Sequence, residues 1–340
     1  MFARARTAAR LLFVLALPSL AVVPARAVAL PDPDEIETRT AASDFPDPFV
    51  LLDGETYYAF ATGIDDGHNV QVARSRDMMT WTLLGDALPV LPSWAKKNFT
   101  WAPSVLRRDQ RWVLYYTARD TSSGFQCISR GTAERPEGPY VDDSPRPFIC
   151  QTSGDSAFCG SIDPSPFVDT SGHVYLLWKS DENSPACRTR PRIWSQRLSD
   201  DGLSVIGEPS PLLTTDREWE GPLIEGPSMV REGDSLFLFY SANWFESADY
   251  AIGWARCESP TGPCRKMTLD GPLMKSTGTM LGPGGQEIFK DTLGRPWMAF
   301  HAWTAPHTTY ASGGVRSLRL SRLSFSNGAP TIEPPRQPRL

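Results

Sequence analysis

Basic residues are in deficit in this 340-residue sequence: 34 Lys and Arg face 39 Asp and Glu, a formal net charge of −5. That balance argues against a partner gripped by its phosphate backbone, which Lys and Arg would have to neutralise, so no nucleic-acid partner is expected. An apolar run of the ~20 residues needed for a membrane-spanning helix is also lacking, since the run at 11–23 is interrupted by Pro18. No long segment repeats its apolar residues every 3.6 positions, which argues against a helical protein. Six cysteines are present without a paired C-x-x-C, so neither a zinc knuckle nor a dithiol redox motif is supported. What remains is a composition of 41% hydrophobic and 21% charged residues, enough to bury a sizeable core.

The apolar run at 11–23 has a different use. Arg4, Arg6 and Arg10 precede it, and Ala25-Arg26-Ala27 and Ala27-Val28-Ala29 offer small-residue cleavage sites after it. This is the pattern of a secretory signal peptide over residues 1–29. Its removal leaves 30 basic residues against 39 acidic ones, a charge of −9. The mature protein is expected outside the cell, off the membrane, and suited to a neutral or cationic ligand. In an exported chain the cysteines read as disulfides. Cys257 and Cys264 flank the turn-rich "ESPTGP", Cys150 and Cys159 bracket a second loop, and Cys127 and Cys187 are left to pair. Spacing alone leaves other pairings open. Residues 30–43 read as a polar lead-in, and the tail "EPPRQPRL" as poorly ordered.

Five times a polar stretch ending in proline leads into an apolar run, a Gly/Asp turn and an aromatic strand. The openings are Asp47-Pro48, Ala102-Pro103, Asp163-Pro164, Gly226-Pro227 and Gly282-Pro283, with steps of 55, 61, 63 and 56 residues between the prolines. Runs such as "PFVLLDGETYYAFAT" and "PSMVREGDSLFLFYSA" have the alternation and turn residues of hairpins. Each unit then supplies at least one more strand, for example "NVQVARS" or "YAIGWAR". Repeats of this size with about four short strands are the signature of a β-propeller, so the fold expected over 44–340 is all-β with five blades. Two stacked sandwiches would leave the even spacing of the openings unexplained.

In a propeller the innermost strands line a central channel, so acids at blade openings converge from distant sequence positions. Asp47, Asp163 and Glu225 lie at three such openings. An acid before proline also starts turns for purely local reasons, but three at comparable positions point to a site. Glu225 has Ile224, Gly226 and Pro227 as neighbours, with no adjacent cation to explain it as half of an ion pair. Two facing carboxylates hydrolyse a glycosidic bond, one protonating the leaving oxygen while the other activates water or attacks the sugar. A third nearby carboxylate helps to keep the acid protonated.

The openings resemble glycoside hydrolase family 43. The resemblance spans the whole mature chain and rests on "DFPDPFV", "SRDMMTW", "WAPSV", "SIDPSPFVDTSGHVYLLW" and "EGPLIEGPSMV", in that order. It implies a five-bladed propeller hydrolysing α-L-arabinofuranosyl or β-D-xylosyl linkages with inversion. It further implies Asp47 as general base, Asp163 as the residue that tunes the acid and orients substrate, and Glu225 as general acid. Trp101, in the "WAP" motif, is implied at the border of the sugar site, though packing at a blade junction would use it equally well. The family usually carries Asp where this chain has Ser104. Many relatives also carry a histidine after the fifth-blade "GxG" that helps to hold a metal or water cluster, whereas this chain reads Gly282-Pro283-Gly284-Gly285-Gln286-Glu287. No cofactor is therefore required by the reading; a structural calcium would have to use Gln286 or Glu287 as oxygen ligands. His301 is expected to pack or hydrogen-bond within blade five. Arg316 is expected to pair with a surface acid or to reach a sugar hydroxyl.

Trp94, Trp244, Phe245 and Trp303 are candidates to stack on sugar rings or to pack in the core, and the loops at 88–98 and 154–160 to set the shape of the cleft. The chain stops soon after the fifth blade, without the C-terminal sandwich of some β-xylosidases of the family. That favours arabinofuranosyl substrates in plant-wall polysaccharide over xylosides. A sialidase-type propeller fits less well, because "SRDMMTW" lacks the Gly of an Asp box and occurs once. A non-catalytic carbohydrate-binding propeller is the competing class. Nothing in the sequence signals an oligomer, and a monomer is expected.

Overall fold

The computed structural model of the chain describes residues 44–63, 67–152, 159–184, 187 and 189–340. The expected signal peptide at 1–29, the lead-in at 30–43 and most of the loop at 154–160 lie outside the described residues. Among the described residues nineteen strands form five antiparallel sheets. The first blade comprises β1 (Phe49–Asp53), β2 (Thr56–Thr62), β3 (Val70–Ser75) and β4 (Thr82–Asp86). The second has β5 (Ala95–Arg108), β6 (Arg111–Asp120) and β7 (Gln126–Ala133), extended by a bridge from Thr132 to Val141. The third has β8 (Ser161–Val168), β9 (Val174–Ser180), β10 (Arg192–Leu198) and β11 (Val205–Thr214). The fourth has β12 (Ile224–Glu232), β13 (Ser235–Ala242), β14 (Ala251–Cys257) and β15 (Cys264–Lys266). The fifth has β16 (Met280–Lys290), β17 (Pro296–Thr304), β18 (Arg316–Ser326) and β19 (Ala329–Ile332). The inner strands touch in the cyclic order β1, β5, β8, β12, β16, β1, which is the five-bladed propeller the repeats predict.

Each blade buries both faces, and the apolar residues between blades form five separate clusters, one per junction. Phe60, Leu114 and Tyr116 join blades one and two; Tyr115, Leu176 and Trp178 join two and three. Leu177, Ile224 and Leu238 join three and four, and Phe239, Met298 and Phe300 join four and five. Val50, Tyr57, Phe289 and Trp297 close the ring. Burying one such large side chain contributes about 1.5–3 kcal/mol, so closure is held by packing without a covalent clasp. The tail departs from expectation. Arg339 exchanges backbone hydrogen bonds with Met79 and Trp81 of blade one, and Arg336 pairs with Leu320. Leu340 packs on the ring-closing cluster, so the tail bridges blades five and one.

Two further expectations are corrected. Cys257 pairs with Cys264 across the β14–β15 hairpin as anticipated, but the other bridges are Cys127–Cys150 and Cys159–Cys187. Spacing misled here because the partner of β7 comes from the segment that crosses back over blade two, as the Ile128–Ile149 bridge shows. The register of blade five is the second. Ser104, Ser165, Ser228 and Glu287 occupy one layer, opposite Tyr115, Leu177, Phe239 and Ala299, and Phe49 opposite Phe60 fills it in blade one. The blade-five opening is therefore Gly285-Gln286, three residues beyond Gly282-Pro283. Two bulges in β16 absorb the difference.

That register exposes a ring of hydrogen bonds. The residue opening each blade has positive φ: Asp47 (52°), Ala102 (45°), Asp163 (61°), Gly226 (56°) and Gly285 (59°). For a non-glycine residue this backbone costs on the order of 1–3 kcal/mol and must be held in place by its surroundings. Here the holding group comes from the preceding blade. Thr62 Oγ1 accepts the Ala102 N–H at 2.9 Å, Thr117 Oγ1 that of Asp163 at 3.3 Å, Ser241 Oγ that of Gly285 at 2.9 Å, and His301 Nδ1 that of Asp47 at 3.0 Å. These acceptors share one position on the second strand of each blade. In blade three that position is Lys179, opposite Ile162.

Candidate active site

A cavity of about 700 Å³ opens at the end of the channel where the blades begin, within the range of small-molecule sites. Asp47, Asp163 and Glu225 all line it, so the structure brings together the three carboxylates picked out by the repeats. Lys179, Tyr250 and Arg316 line it too.

Asp47 is held by groups from its own blade and from blade five. Thr62 Oγ1 donates to its Oδ2 at 2.6 Å, and Arg316 Nη1 lies 3.4 Å from Oδ1. Burial works against its ionisation, but the Arg316 guanidinium and hydrogen bonding outweigh it and hold the carboxyl well below its usual range. His301 Nδ1 is 3.3 Å from Asp47 Oδ1, yet it accepts the Asp47 N–H. Burial and Arg316 both push this histidine towards the neutral form, so the contact is not an ion pair. His301 serves the backbone of blade one, having been expected to act within blade five.

Asp163 sits at the equivalent position in blade three and behaves oppositely. Burial first, then the charge of Glu225, push its carboxyl up to about 8, with Lys179 opposing. Its Oδ2 accepts the Gly226 N–H at 2.8 Å. Glu225 is gripped at both oxygens: Tyr250 Oη donates to Oε1 at 2.9 Å, and Lys179 Nζ lies 3.3 Å from Oε2. Burial and the charge of Glu225 keep Tyr250 a neutral donor. The Asp163 carboxyl therefore holds a proton at neutral pH, beside Glu225.

The aromatic candidates divide. Trp101 lines the cavity, packed edge-on against Phe99 with the Arg119 guanidinium over both rings. Trp244, 47% exposed, stands at the rim beside Phe245. Trp303 is corrected: it is fully buried, outside the cavity lining, and donates to the Phe245 carbonyl at 2.7 Å, so it supports the rim without facing it. Trp94 is likewise buried in the core between blades one and two. Arg316, 7% exposed, pairs with Asp47 in place of a surface acid and packs against Phe245 and Tyr310. Ser104, standing where relatives are expected to have Asp, donates to the Pro164 carbonyl at 2.6 Å and so ties blade two to blade three.

Lys179 and Tyr250 were not singled out by sequence. "LLWKS" gives Lys179 an apolar, strand-like setting, and a lysine in the fourth buried position of such a run was a signal that could have been read.

A calcium site needs free oxygen donors, and the proposed ligands are spent. The Gln286 amide donates to the Gly226 carbonyl and accepts from Ser241 Oγ. Glu287 accepts from Ser165 and Ser228 at 3.0 and 2.7 Å, and burial pushes its carboxyl up to about 7. The nearby orphan is His301 Nε2, a nitrogen that carries the ring proton because Nδ1 is an acceptor. Among the described residues no group of three or more His, Cys, Asp or Glu is arranged around a metal. The residues do not fit calcium, and no step below passes through one.

Comparison with known proteins follows the same lines. The profile of glycosyl hydrolases family 43 matches residues 40–330. A probable arabinan endo-1,5-alpha-L-arabinosidase A of Aspergillus flavus is 26% identical, over 92% of this chain and 98% of its own length. An extracellular endo-alpha-(1->5)-L-arabinanase 1 of Bacillus subtilis is 23% identical over 84% of this chain and 86% of its own. Among solved structures, an endo-1,4-beta-xylanase of Bacteroides thetaiotaomicron superposes with a TM-score of 0.74 at 26% identity, covering 88% of this chain and 97% of that one.

Proposed function

The chain belongs to glycosyl hydrolase family 43, and from that membership we propose a secreted, inverting hydrolase of α-L-arabinofuranosyl linkages in arabinan or arabinoxylan. The observation that carries the reading is the contrast in protonation inside one cavity. Asp47 is held ionised by Arg316, while burial and the neighbouring charge of Glu225 keep a proton on Asp163. An ionised base and a proton-holding carboxyl thus stand in one cavity near neutral pH.

Asp47 takes a proton from a water as that water attacks the anomeric carbon. The glycosidic C–O bond breaks, and Glu225 gives its proton to the departing oxygen. Attack from the face opposite the leaving group inverts the configuration. Asp163, beside Glu225, is the carboxyl that tunes the acid and orients substrate. Its bond to the Gly226 N–H ties it to the residue next to Glu225. All three roles use protein carboxylates, and no cofactor is invoked. The arabinan preference is supported by the names of the curated relatives. The structural neighbour named as a xylanase supports a second reading, hydrolysis of xylan-type linkages by the same machinery. Three disulfides, the signal-like residues 1–29 and an extracellular relative support action outside the cell.

Turnover of linear arabinan, branched arabinan and xylo-oligosaccharides by the wild type and Glu225→Ala tests the assignment, with the first anomer followed by NMR. We expect arabinan to be the best substrate, the product to be inverted, and the variant to lose about 10²–10⁴-fold in rate. Undiminished turnover by Glu225→Ala would overturn the acid assignment, and a retained anomer the water route. Tight binding without turnover in the wild type points to a carbohydrate-binding propeller.

A further inference from the structure

Four of the five blade junctions are closed by the same device, a Thr, Ser or His acceptor taking the N–H of the next blade's opening residue. The junction between blades three and four breaks the pattern. Lys179 stands in the acceptor position, and an ammonium has donors only. The orphaned N–H of Gly226 is taken instead by Asp163 Oδ2 at 2.8 Å. A Thr or Ser at 179 would close the junction as in the neighbouring blades. Lysine also buries an ammonium, at 2% exposure, which is costly unless the charge is paired. Ring closure therefore gives no reason for Lys179. Its contacts do: Nζ lies 2.9 Å from Asp181 Oδ1 and 3.3 Å from Glu225 Oε2.

We propose that Lys179 is a positioning residue for Glu225, fixing the carboxyl opposite Tyr250 and, with Asp181 sharing its charge, setting how firmly the acid side of the cavity keeps its proton. This rests on the assignment of Glu225 as the acid. The charged and titratable groups facing this cluster are Asp163 from β8, Asp181 just after β9, Glu225 from β12 and Tyr250 just before β14. Asp47, paired with Arg316 of β18, faces it across the cavity. Burial opposes the charge on Lys179, but Asp181, Glu225 and Asp163 together keep it protonated. Its positive charge favours ionisation of the neighbouring carboxyl pair, whereas the negative charge of Asp181 opposes it. Removing one or the other should move the pair in opposite directions, an outcome that a merely structural lysine would not produce.

The test compares Lys179→Met, Lys179→Arg, Asp181→Asn and Glu225→Gln by pH profiles of kcat and kcat/KM on linear arabinan, with thermal melting as a check on folding. Lys179→Met is expected to lower kcat about tenfold to hundredfold with little change in KM, and to move the alkaline limb up by about one pH unit. Asp181→Asn is expected to move that limb down, and Lys179→Arg, which keeps the charge, to leave it near the wild-type position. A folded Lys179→Met with an unmoved limb, or limbs shifting the same way in the Lys179→Met and Asp181→Asn variants, overturns the proposal. If Lys179→Met does not fold, an unmoved limb in Asp181→Asn does the same. Glu225→Gln separates the two levels. If it retains full activity on arabinan, the acid assignment itself fails; if it is inactive while both limbs stay put, only the role of Lys179 fails.

Discussion

Asp47 and Asp163 occupy the same place in blades one and three. Both open a blade, both have positive φ, both precede proline and both stand half-buried in the lining of one cavity. Their chemistry is nonetheless opposite, because the fold fixes the position and the neighbouring blades fix the charge. Blade five gives Asp47 a guanidinium, Arg316, and the second strand of its own blade gives it a threonine donor. Burial first, and then the charge of Glu225 that blade four sets beside it, push Asp163 up to about 8. A repeat fold thus makes a base and a proton reservoir from one structural position by changing what stands one blade away.

The harshest way to break this contrast is to remove the charge at its anionic end. Asp47→Asn should leave the ring of junction hydrogen bonds in place, since the backbone N–H to His301 is retained, and should cost about 10²–10⁴-fold in kcat. Rates on arabinan, with circular dichroism as a folding control, check it. A fall of less than tenfold would mean that water is activated elsewhere. Next in size, Arg316→Gln takes away the cation that holds Asp47 ionised. A base works only when deprotonated, so raising its pKa must carry the acidic limb of kcat/KM upward. The expected displacement is about one to two pH units, with the alkaline limb little changed. The mirror-image result, a moved alkaline limb over a fixed acidic one, would reverse the assignment of base and acid.

The parts legible in sequence were those set by period and local turn chemistry. Hairpins repeating every 55 to 63 residues gave the blades, and the acids before Pro48 and Pro164 stood out because they recur at comparable positions of the repeat. Glu225 was read from its place one residue before Gly226-Pro227. What escaped was whatever depends on bulges and on cross-blade contacts. Blade five was misaligned by three residues because Pro283 mimics an opening that Gln286 in fact makes, with an amide bridging Gly226 and Ser241 in place of the proline ring. The apolar run around Lys179 marks the lysine as unusual, but the acid it pairs with, Glu225, lies 46 residues on and is brought beside it only by the fold. Trp303 was misplaced for the converse reason: propellers use tryptophan as much for packing as for sugar contact.

The finest perturbation adds a single methyl group. Gly285 opens blade five, with φ of 59°, and a Cβ there would stand 2.7 Å from Asp47 Oδ1 and 2.6 Å from His301 Nδ1. The equivalent residue in blade two is Ala102, also at positive φ, so the backbone alone tolerates a methyl group at this layer. The difference lies in the neighbour: the aspartate and the buried His301 stand where the methyl would go. Gly285→Ala is therefore expected to lower stability by about 1–2 kcal/mol, a few degrees of melting temperature. By displacing Asp47 relative to Arg316, it should also shift the acidic limb in the same upward sense as Arg316→Gln, but less far. Melting curves and the pH profile of kcat/KM measure the two effects separately. Lost stability with an unmoved limb would show that Asp47 keeps its setting when its backbone support is strained, and that Arg316 rather than blade-junction geometry is what keeps the base ionised.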